Sequence, residues 1–388
     1  MRVAHIITRL IVGGAQENTV TTVLGLRDRH KMDCDLISGP TTGPEGSLEP
    51  LFANRPGILT VIPELIRPVC PWSDFWALRN ITRRLLDRKP DIVHTHSGKA
   101  GVLGRLAAHL ANVPVIIHTI HGPSFGSFQG AAANFAFTAA ERIAARCTDQ
   151  FVTVADAMRD QYLAVGIGRP EQYTRVFSGF DLAPFLAAQN DPALCAQLGI
   201  APSDFVVGKI ARLFELKGHD DLFAAAPELV RRCPRLKFLL VGDGPWRSRF
   251  EQKARDLGLE KHFIFIGLVP PVDVPRYLGV MDVLAHLSRR EGLARVLPQA
   301  LAAGKPIVAF DCDGAREVCL DGETGFLLQP GDRSGLCRAL EKLSGDADLR
   351  QRLGQRGREF VKERFSAERM VDDLAELYQS RLQKTARN

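Results

Sequence analysis

Short apolar runs rich in β-branched residues alternate with amphipathic helical stretches along almost the whole chain, and this alternation admits few folds. Two parallel strands need a crossover between them, and a helix is its usual form. In the first half, strands are expected at 3–7, 34–38, 92–96, 115–119, 151–154 and 174–177, with helices near 15–26, 73–87, 100–111 and 131–147. In the second half, strands are expected at 205–212, 236–242, 263–267, 283–287, 307–310 and 325–328, with helices near 219–232, 246–257, 293–303 and 334–343. The fold class is therefore α/β, with two doubly wound, Rossmann-like parallel sheets facing a central cleft.

The strand periodicity lapses between the two series, where Pro184, Pro192 and Pro202 collect. With 388 residues the chain is too long for one ordinary core. The expected division is a first domain at 1–180, a connection at 181–204 and a second domain at 205–365. The tail reads as two charged amphipathic helices, broken near Phe365 and Ser366, with 366–388 as a separate terminal helix.

Charge excludes some functions. Residues 1–190 carry 19 of the 50 basic and 16 of the 44 acidic groups, so each half is near +3. That even spread argues against a nucleic-acid arm, while permitting weak attraction to anionic lipid. The helix expected at 73–87 sets Phe75, Trp76, Leu78, Leu85 and Leu86 against Arg79, Arg83 and Arg84. A helix packed on a sheet with a solvated basic face is favoured over one lying on a membrane. No apolar run reaches 18 residues, and Thr8 and Arg9 interrupt the first run too early for a signal peptide. The eight cysteines show no CxxC pair or zinc spacing, so a reduced, cytoplasmic protein is expected.

Chemistry concentrates where strands end. Residues 291–309 place Glu291 at a Gly turn before an Ala-rich helix that Gly304-Lys305-Pro306 stops. Free amides at Gly292, Leu293 and Ala294, at the start of that helix, would suit phosphate. Glu291 suits sugar hydroxyls better, because two anions repel. Gln299 lies eight residues on, about two helical turns. Arg212 and Lys217 stand on one short loop, where Arg offers phosphate a planar fork and Lys a mobile point charge. Gly242 and Gly244 form a turn at a strand end, apt for a base or ribose. In the first half, Gly13 and Gly14 open a helix without completing a dinucleotide fingerprint.

Metal chemistry is not favoured. His94, His96, His118 and His121 end two neighbouring strands, but supporting acids and cysteines are missing and strand side chains alternate between faces. His121 is the candidate for a sugar hydroxyl; His94, His96 and His118 are expected to satisfy local backbone groups. The triplets Asp33-Cys34-Asp35 and Asp311-Cys312-Asp313 read as ordinary turns.

Taken in order, these segments resemble the retaining glycosyltransferases of the GT-B fold, the Glu-x7-Glu group (family 4-like, group 1), and in particular members that build cell-surface polysaccharide. The resemblance runs from Gly13-Gly14-Ala15-Gln16 through the two His-rich segments and Arg212-x4-Lys217-Gly218. It continues through Val241-Gly242-Asp243-Gly244-Pro245 and Glu291-Gly292 to Asp321-Gly322-Glu323-Thr324-Gly325-Phe326.

The resemblance implies that Arg212 and Lys217 hold the donor diphosphate, with the amides of Gly292, Leu293 and Ala294. Glu291 would bond the donor sugar, Gln299 the ribose, and Gly242, Gly244 and backbone near Leu268 would border the base. Gly14 and His121 would close over the sugar, and the terminal helix would cross back to the first domain. It further implies transfer from a nucleotide sugar, UDP favoured and GDP next, to a saccharide or lipid-linked saccharide. Retention, no metal or other cofactor and, at most, peripheral contact with the inner membrane face complete the expectation.

One position departs from the pattern: Gln299 stands where the group has its second Glu. An amide still holds ribose, but without the charge-assisted bond, for about 1 kcal/mol less. Two rival readings are a degenerate transferase acting as a nucleotide-sugar-binding regulatory module, and a nucleotide-sugar epimerase, which would need acid–base carboxylates at the sugar's C2.

Overall fold

The computed structural model describes residues 1–43, 46–126 and 129–385. The chain forms two compact units, one of Met1–Phe180 with Ala367–Asn388 and one of Asp181–Ser366.

The first unit contains β1 (Arg2–Ile7), α1 (Gly14–His30), β2 (Asp33–Ser38), β3 (Leu59–Val61), α2 (Pro71–Arg88), β4 (Ile92–His96) and α3 (Gly98–Leu110). It continues with β5 (Val115–Ile120), α4 (Ala131–Ala145), β6 (Gln150–Thr153), α5 (Asp156–Ala164) and β7 (Tyr173–Arg175). The strands are all parallel, in the order β3-β2-β1-β4-β5-β6-β7. Helices cover both faces, so alternate residues of one strand enter different cores. Val3 and Ile7 pack with Val20, Val23 and Leu26 of α1, whereas Ala4 and Ile6 pack with Ala77 and Ile81 of α2 and Ala107 of α3. Strand β3 and helix α5 were not anticipated: three residues and nine are too short for a period to stand out.

The second unit opens with α6 (Ala183–Leu186) and α7 (Pro192–Gln197), in the stretch read from sequence as a connection. Both are tied into it. Arg276 pairs with Asp191 at 2.6 Å, and the Arg358 guanidinium donates to the Leu186 carbonyl. There follow β8 (Phe205–Ile210), α8 (His219–Arg232), β9 (Leu236–Val241), α9 (Arg247–Asp256), β10 (Phe263–Gly267), α10 (Val274–Gly279) and β11 (Val283–His286). Then come α11 (Val296–Ala302), β12 (Ile307–Phe310), β13 (Gly325–Leu328), α12 (Arg333–Gly345) and α13 (Ala347–Arg364). The sheet is parallel, in the order β10-β9-β8-β11-β12-β13.

The chain breaks at Phe365 and Ser366, and α14 (Ala367–Thr385) packs within the first unit. Its Met370, Val371, Leu374 and Tyr378 join the core around α1, and Asp372 bonds Arg29 at 2.9 Å and His30 at 2.7 Å.

Candidate active site

Each sheet reverses its strand order once, between β1 and β4 in the first unit and between β8 and β11 in the second. Crossovers leave in opposite directions at such a point, which opens space beyond the carboxyl ends of the strands. The candidate residues lie at these two places.

In the second unit, Lys217 follows β8 and Glu291 follows β11, and the Lys217 ammonium donates to Glu291 Oε1. The switch point is thus bridged by the two charged groups the sequence put forward. Gly218 makes their approach possible: its φ is 69°, and a Cβ there would sit 1.8 Å from the Leu287 carbonyl oxygen. Arg212, exposed on the same loop, lies over the Phe214 ring at 5.6 Å. Its carbonyl accepts a bond from His219 Nε2 at 3.0 Å, which fixes the loop to the start of α8.

The glycine turn after β9 packs against that loop. A Cβ on Gly242 would meet the Ala211 carbonyl at 2.2 Å, and one on Gly244 the Leu213 carbonyl at 2.5 Å. Gly242 also donates to Gly267 at 2.8 Å, which brings the end of β10 and the 71% exposed Leu268 alongside. Arg212, Lys217, Gly242, Gly244, Leu268 and Glu291 therefore gather at one end of one sheet.

The helix expected to begin at Leu293 begins instead at Val296. Pro298 has no N–H to give the Ala294 carbonyl, and its ring crowds that oxygen, so a helical turn cannot extend back over 294. Gly292, Leu293 and Ala294 lie in the preceding loop, not in the first turn of a helix. Gln299, half-buried, is in the second turn of α11, so the eight-residue spacing from Glu291 is only partly helical.

The loop has other anchors. The Glu291 amide donates to Asp313 Oδ2 at 2.6 Å, and the Gly314 amide to the Gly292 carbonyl at 3.0 Å. Asp313 thus positions the site, a role that the reading of its Asp-Cys-Asp triplet as an ordinary turn missed. The companion Asp311 pairs with Arg316 at 2.7 Å, and Asp33 and Asp35 share Arg88 at 3.3 and 3.4 Å.

Lys209 was also missed. It sits on β8 beneath the loop, fully buried, and its ammonium has no hydrogen-bond partner. Burial lowers its pKa to about 7, with the Lys217 charge adding to the shift. Burial likewise holds His219 and His286 well below the usual histidine range. A lysine inside the apolar run Val206-Val207-Gly208-Lys209-Ile210 was the available signal.

In the first unit, Gly14 is the exposed first residue of α1 and His121 follows β5. His94, His96 and His118, for which backbone groups were anticipated, bond side chains. His94 engages Tyr378 Oη of α14 through Nδ1 and Thr119 Oγ1 through Nε2, the latter at 2.6 Å. His118 Nδ1 meets Thr95 Oγ1 at 2.9 Å. His96 lies between His5 and His121, with N···N distances of 3.1 and 3.2 Å. Two-residue spacing puts His94 and His96 on one face of β4, stacked at 4.4 Å. Nitrogens of His5, His94 and His96 lie within 4.8 Å of one another. Stacked rings do not converge on an ion, however, and both His94 nitrogens are taken.

A cavity of about 640 Å³ lies at the first unit's switch point, between the loops after β1, β4 and β5. Arg9, Arg67 and Lys99 line it with apolar Val102, Leu103 and Phe137.

The family described as Glycosyl transferases group 1 matches residues 191–360, and the Glycosyl transferase 4-like domain matches residues 13–178. The putative glycosyltransferase EpsD of Bacillus subtilis (strain 168) is 31% identical over 74% of this chain and 76% of its own length. The chain belongs to the group 1 glycosyltransferases. The UDP-Gal:alpha-D-GlcNAc-diphosphoundecaprenol alpha-1,3-galactosyltransferase of Escherichia coli is 27% identical over 97% of this chain and 96% of its own. Among solved structures, Anabaena Alr3699/HepE in complex with UDP superposes with a TM-score of 0.82, at 23% identity, covering 98% of this chain and 100% of that one. This group 1 glycosyltransferase has the GT-B architecture, with one parallel sheet in each unit. Among its described residues no helix is long and apolar enough to cross a membrane.

Proposed function

We propose that this glycosyltransferase moves a sugar from a UDP-sugar to a lipid-linked saccharide, with retention of anomeric configuration and without a divalent ion. The observation that carries the reading is the Lys217–Glu291 pair at the switch point of the second sheet. A cation for the diphosphate and a carboxylate for the sugar hydroxyls stand side by side there.

In this reading Arg212 and Lys217 take up the charge that builds on the leaving diphosphate as its bond to the sugar breaks. Fixed cations already in place need little rearrangement during the reaction. Amides of Gly292, Leu293 and Ala294 assist as loop donors. Gly242, Gly244 and Leu268 border the base, Gln299 holds the ribose, and Gly14 and His121 serve the sugar. The leaving phosphate takes the proton of the attacking hydroxyl on the face it departs from, which retains configuration without a second flanking carboxylate. The reading without metal is supported by the arginine pairing of Asp33, Asp35 and Asp311 and by the bond from the Glu291 amide to Asp313.

UDP is favoured over GDP by the name of the Escherichia coli relative and by the UDP complex of Alr3699/HepE. The first unit's cavity supports an anionic amphiphile as acceptor, since Arg9 and Arg67 suit phosphate and the apolar wall suits a lipid. Trp72 and Phe75, 72% and 56% exposed, form with exposed Arg79 and Arg83 a stripe along α2 that suits peripheral contact with an anionic membrane surface. Cell-envelope polysaccharide is the corresponding product class.

Calorimetric titration with UDP, GDP, ADP and their sugar conjugates, in EDTA, tests the donor site. Binding of one nucleotide that Arg212→Ala abolishes is the expected result. No binding by any of them would sink the reading, and with it the regulatory module, which also needs a bound nucleotide sugar.

A further inference from the structure

Strand β8 and helix α8 enclose a titratable group that the proposed reaction leaves unused. Phe205 and Val207 of β8 pack with Leu222, Phe223 and Ala226 of α8. The two-residue alternation of a strand puts Lys209 on that same face. It is the penultimate residue of β8, at the switch point, and its neighbour on β9 is apolar Leu240. Lys209 is 1% exposed and its Nζ has no hydrogen-bond partner. A buried ammonium without a partner is costly, so the neutral amine gains ground. The pKa of about 7 that burial imposes agrees with this.

Two carboxylates act on Lys209, Asp221 from the first turn of α8 and Glu291 from the loop after β11. Both are already held by other cations. Asp221 gives its two oxygens to Arg289, at 2.6 and 3.1 Å. Glu291 Oε1 accepts from Lys217, whose charge also repels a proton from Lys209. The other titratable groups facing Lys209 are His219 of α8 and His286 of β11, and burial keeps both neutral.

Only the second pair includes a group assigned to the diphosphate. A diphosphate that draws Lys217 away leaves Glu291 without its cation and brings further negative charge to the loop over Lys209. Both changes favour the ammonium over the amine.

We propose that Lys209 is a positioning residue of the donor site: when a diphosphate takes Lys217, Lys209 takes up a proton from solvent and becomes the cation that balances Glu291. The carboxylate thereby stays ionised and in place for the sugar, and donor binding is coupled to proton uptake. The trigger rests on the reading of Lys217 as a diphosphate contact. The exchange of partners at Glu291 does not, and the two are tested separately.

Calorimetry of UDP binding in buffers of different ionisation enthalpy, from about pH 7.5 to 8.5, counts the protons taken up. A terminal phosphate ionises at about pH 6, so UDP itself contributes little there. Wild type should take up part of a proton, at most one, for each UDP bound, and Lys209→Met none. Wild-type affinity should fall with rising pH, by at most about tenfold per unit, while that of Lys209→Met stays level. A merely structural Lys209 would alter affinity without altering the proton count, so equal uptake in the two proteins overturns the proposal. Thermal melts establish that Lys209→Met folds. If it does not, Glu291→Gln, which leaves Lys209 in place, must lower the wild-type uptake.

NMR of nucleotide-free protein labelled with 13C-lysine reads the exchange at Glu291 directly, with the Lys209 signal identified by its loss in Lys209→Met or Lys209→Gln. In Lys217→Met, Lys209 should titrate at higher pH than in wild type. Adding Glu291→Gln should bring it most of the way back. Identical titration in the single and double variants would mean that lost repulsion alone is at work, and overturns the proposal. The expected NMR in a protein that binds no nucleotide would uphold the exchange at Glu291 and overturn the diphosphate as its trigger, together with the donor-site reading.

Discussion

The Lys217 ammonium donates to Glu291 Oε1, joining the loop after β8 to the loop after β11 across the switch point of the second sheet. Each group neutralises the other before any ligand arrives. A diphosphate must then share Lys217 with the carboxylate or draw it away. Glu291→Gln leaves the lysine uncompensated, so nucleoside diphosphate should bind several-fold more tightly to the variant. Transfer from the nucleotide sugar should nevertheless fall on the order of 100-fold, because the sugar loses its charged acceptor. Calorimetry and steady-state kinetics read the two effects. Weaker diphosphate binding would mean that the pair only holds the loops together.

In the proposed donor site Gln299 would offer ribose a neutral oxygen, where the Glu-x7-Glu pattern that the sequence resembles has a carboxylate. Gln299→Glu restores a charge-assisted bond, for about 1 kcal/mol, and should tighten the donor roughly fivefold. An unchanged dissociation constant would remove Gln299 from the ribose site.

The sheets were legible because parallel strands buried on both faces read as unbroken apolar runs, and all six second-unit strands lie where those runs do. Arg212, Lys217 and Glu291 were legible because a strand end followed by a short loop places polar groups at the ligand side of such a sheet. What escaped notice depended on contacts between distant segments. Asp313 looked like a turn residue because its partner, the Glu291 amide, is 22 positions away. Lys209 was hidden in a strand, where only the fold tells a buried ammonium from an edge charge. The start of α11 was misplaced because an Ala-rich pattern outweighed one proline.

Arg105 and Glu141 form an ion pair at 2.6 Å, both buried, between α3 and α4. Arg105 also donates to the Gly101 carbonyl at 2.7 Å, whereas Glu141 Oε1 has no partner. Removing the arginine alone strands a buried carboxylate. Arg105→Met should therefore cost roughly 3 kcal/mol in urea unfolding, and adding Glu141→Leu should recover most of it. Equal losses in the single and double variants would show that packing, not the stranded charge, sets the cost.

Lys209 makes stability depend on pH in a stated direction. Burial lowers its pKa from 10.5 to about 7, so the folded chain gives up that proton at lower pH than the unfolded chain. Between the two values the unfolded state binds more protons, and stability rises with pH. Below about 7 the ammonium is charged in both states, and the full burial penalty applies. The slope from this one group is at most about 1.4 kcal/mol per pH unit. Above pH 9 the buried thiols oppose it, since Cys312 is pushed up to about 12 and its unfolded counterpart ionises first. The useful window is therefore pH 7 to 8.5. Lys209→Met should be more stable than wild type at pH 7, and its advantage should shrink steadily toward pH 8.5. Urea unfolding at three pH values measures that difference. A constant gap between the two proteins would show that Lys209 does not release its proton in this range, and that the folded state holds it charged beneath the Lys217 loop.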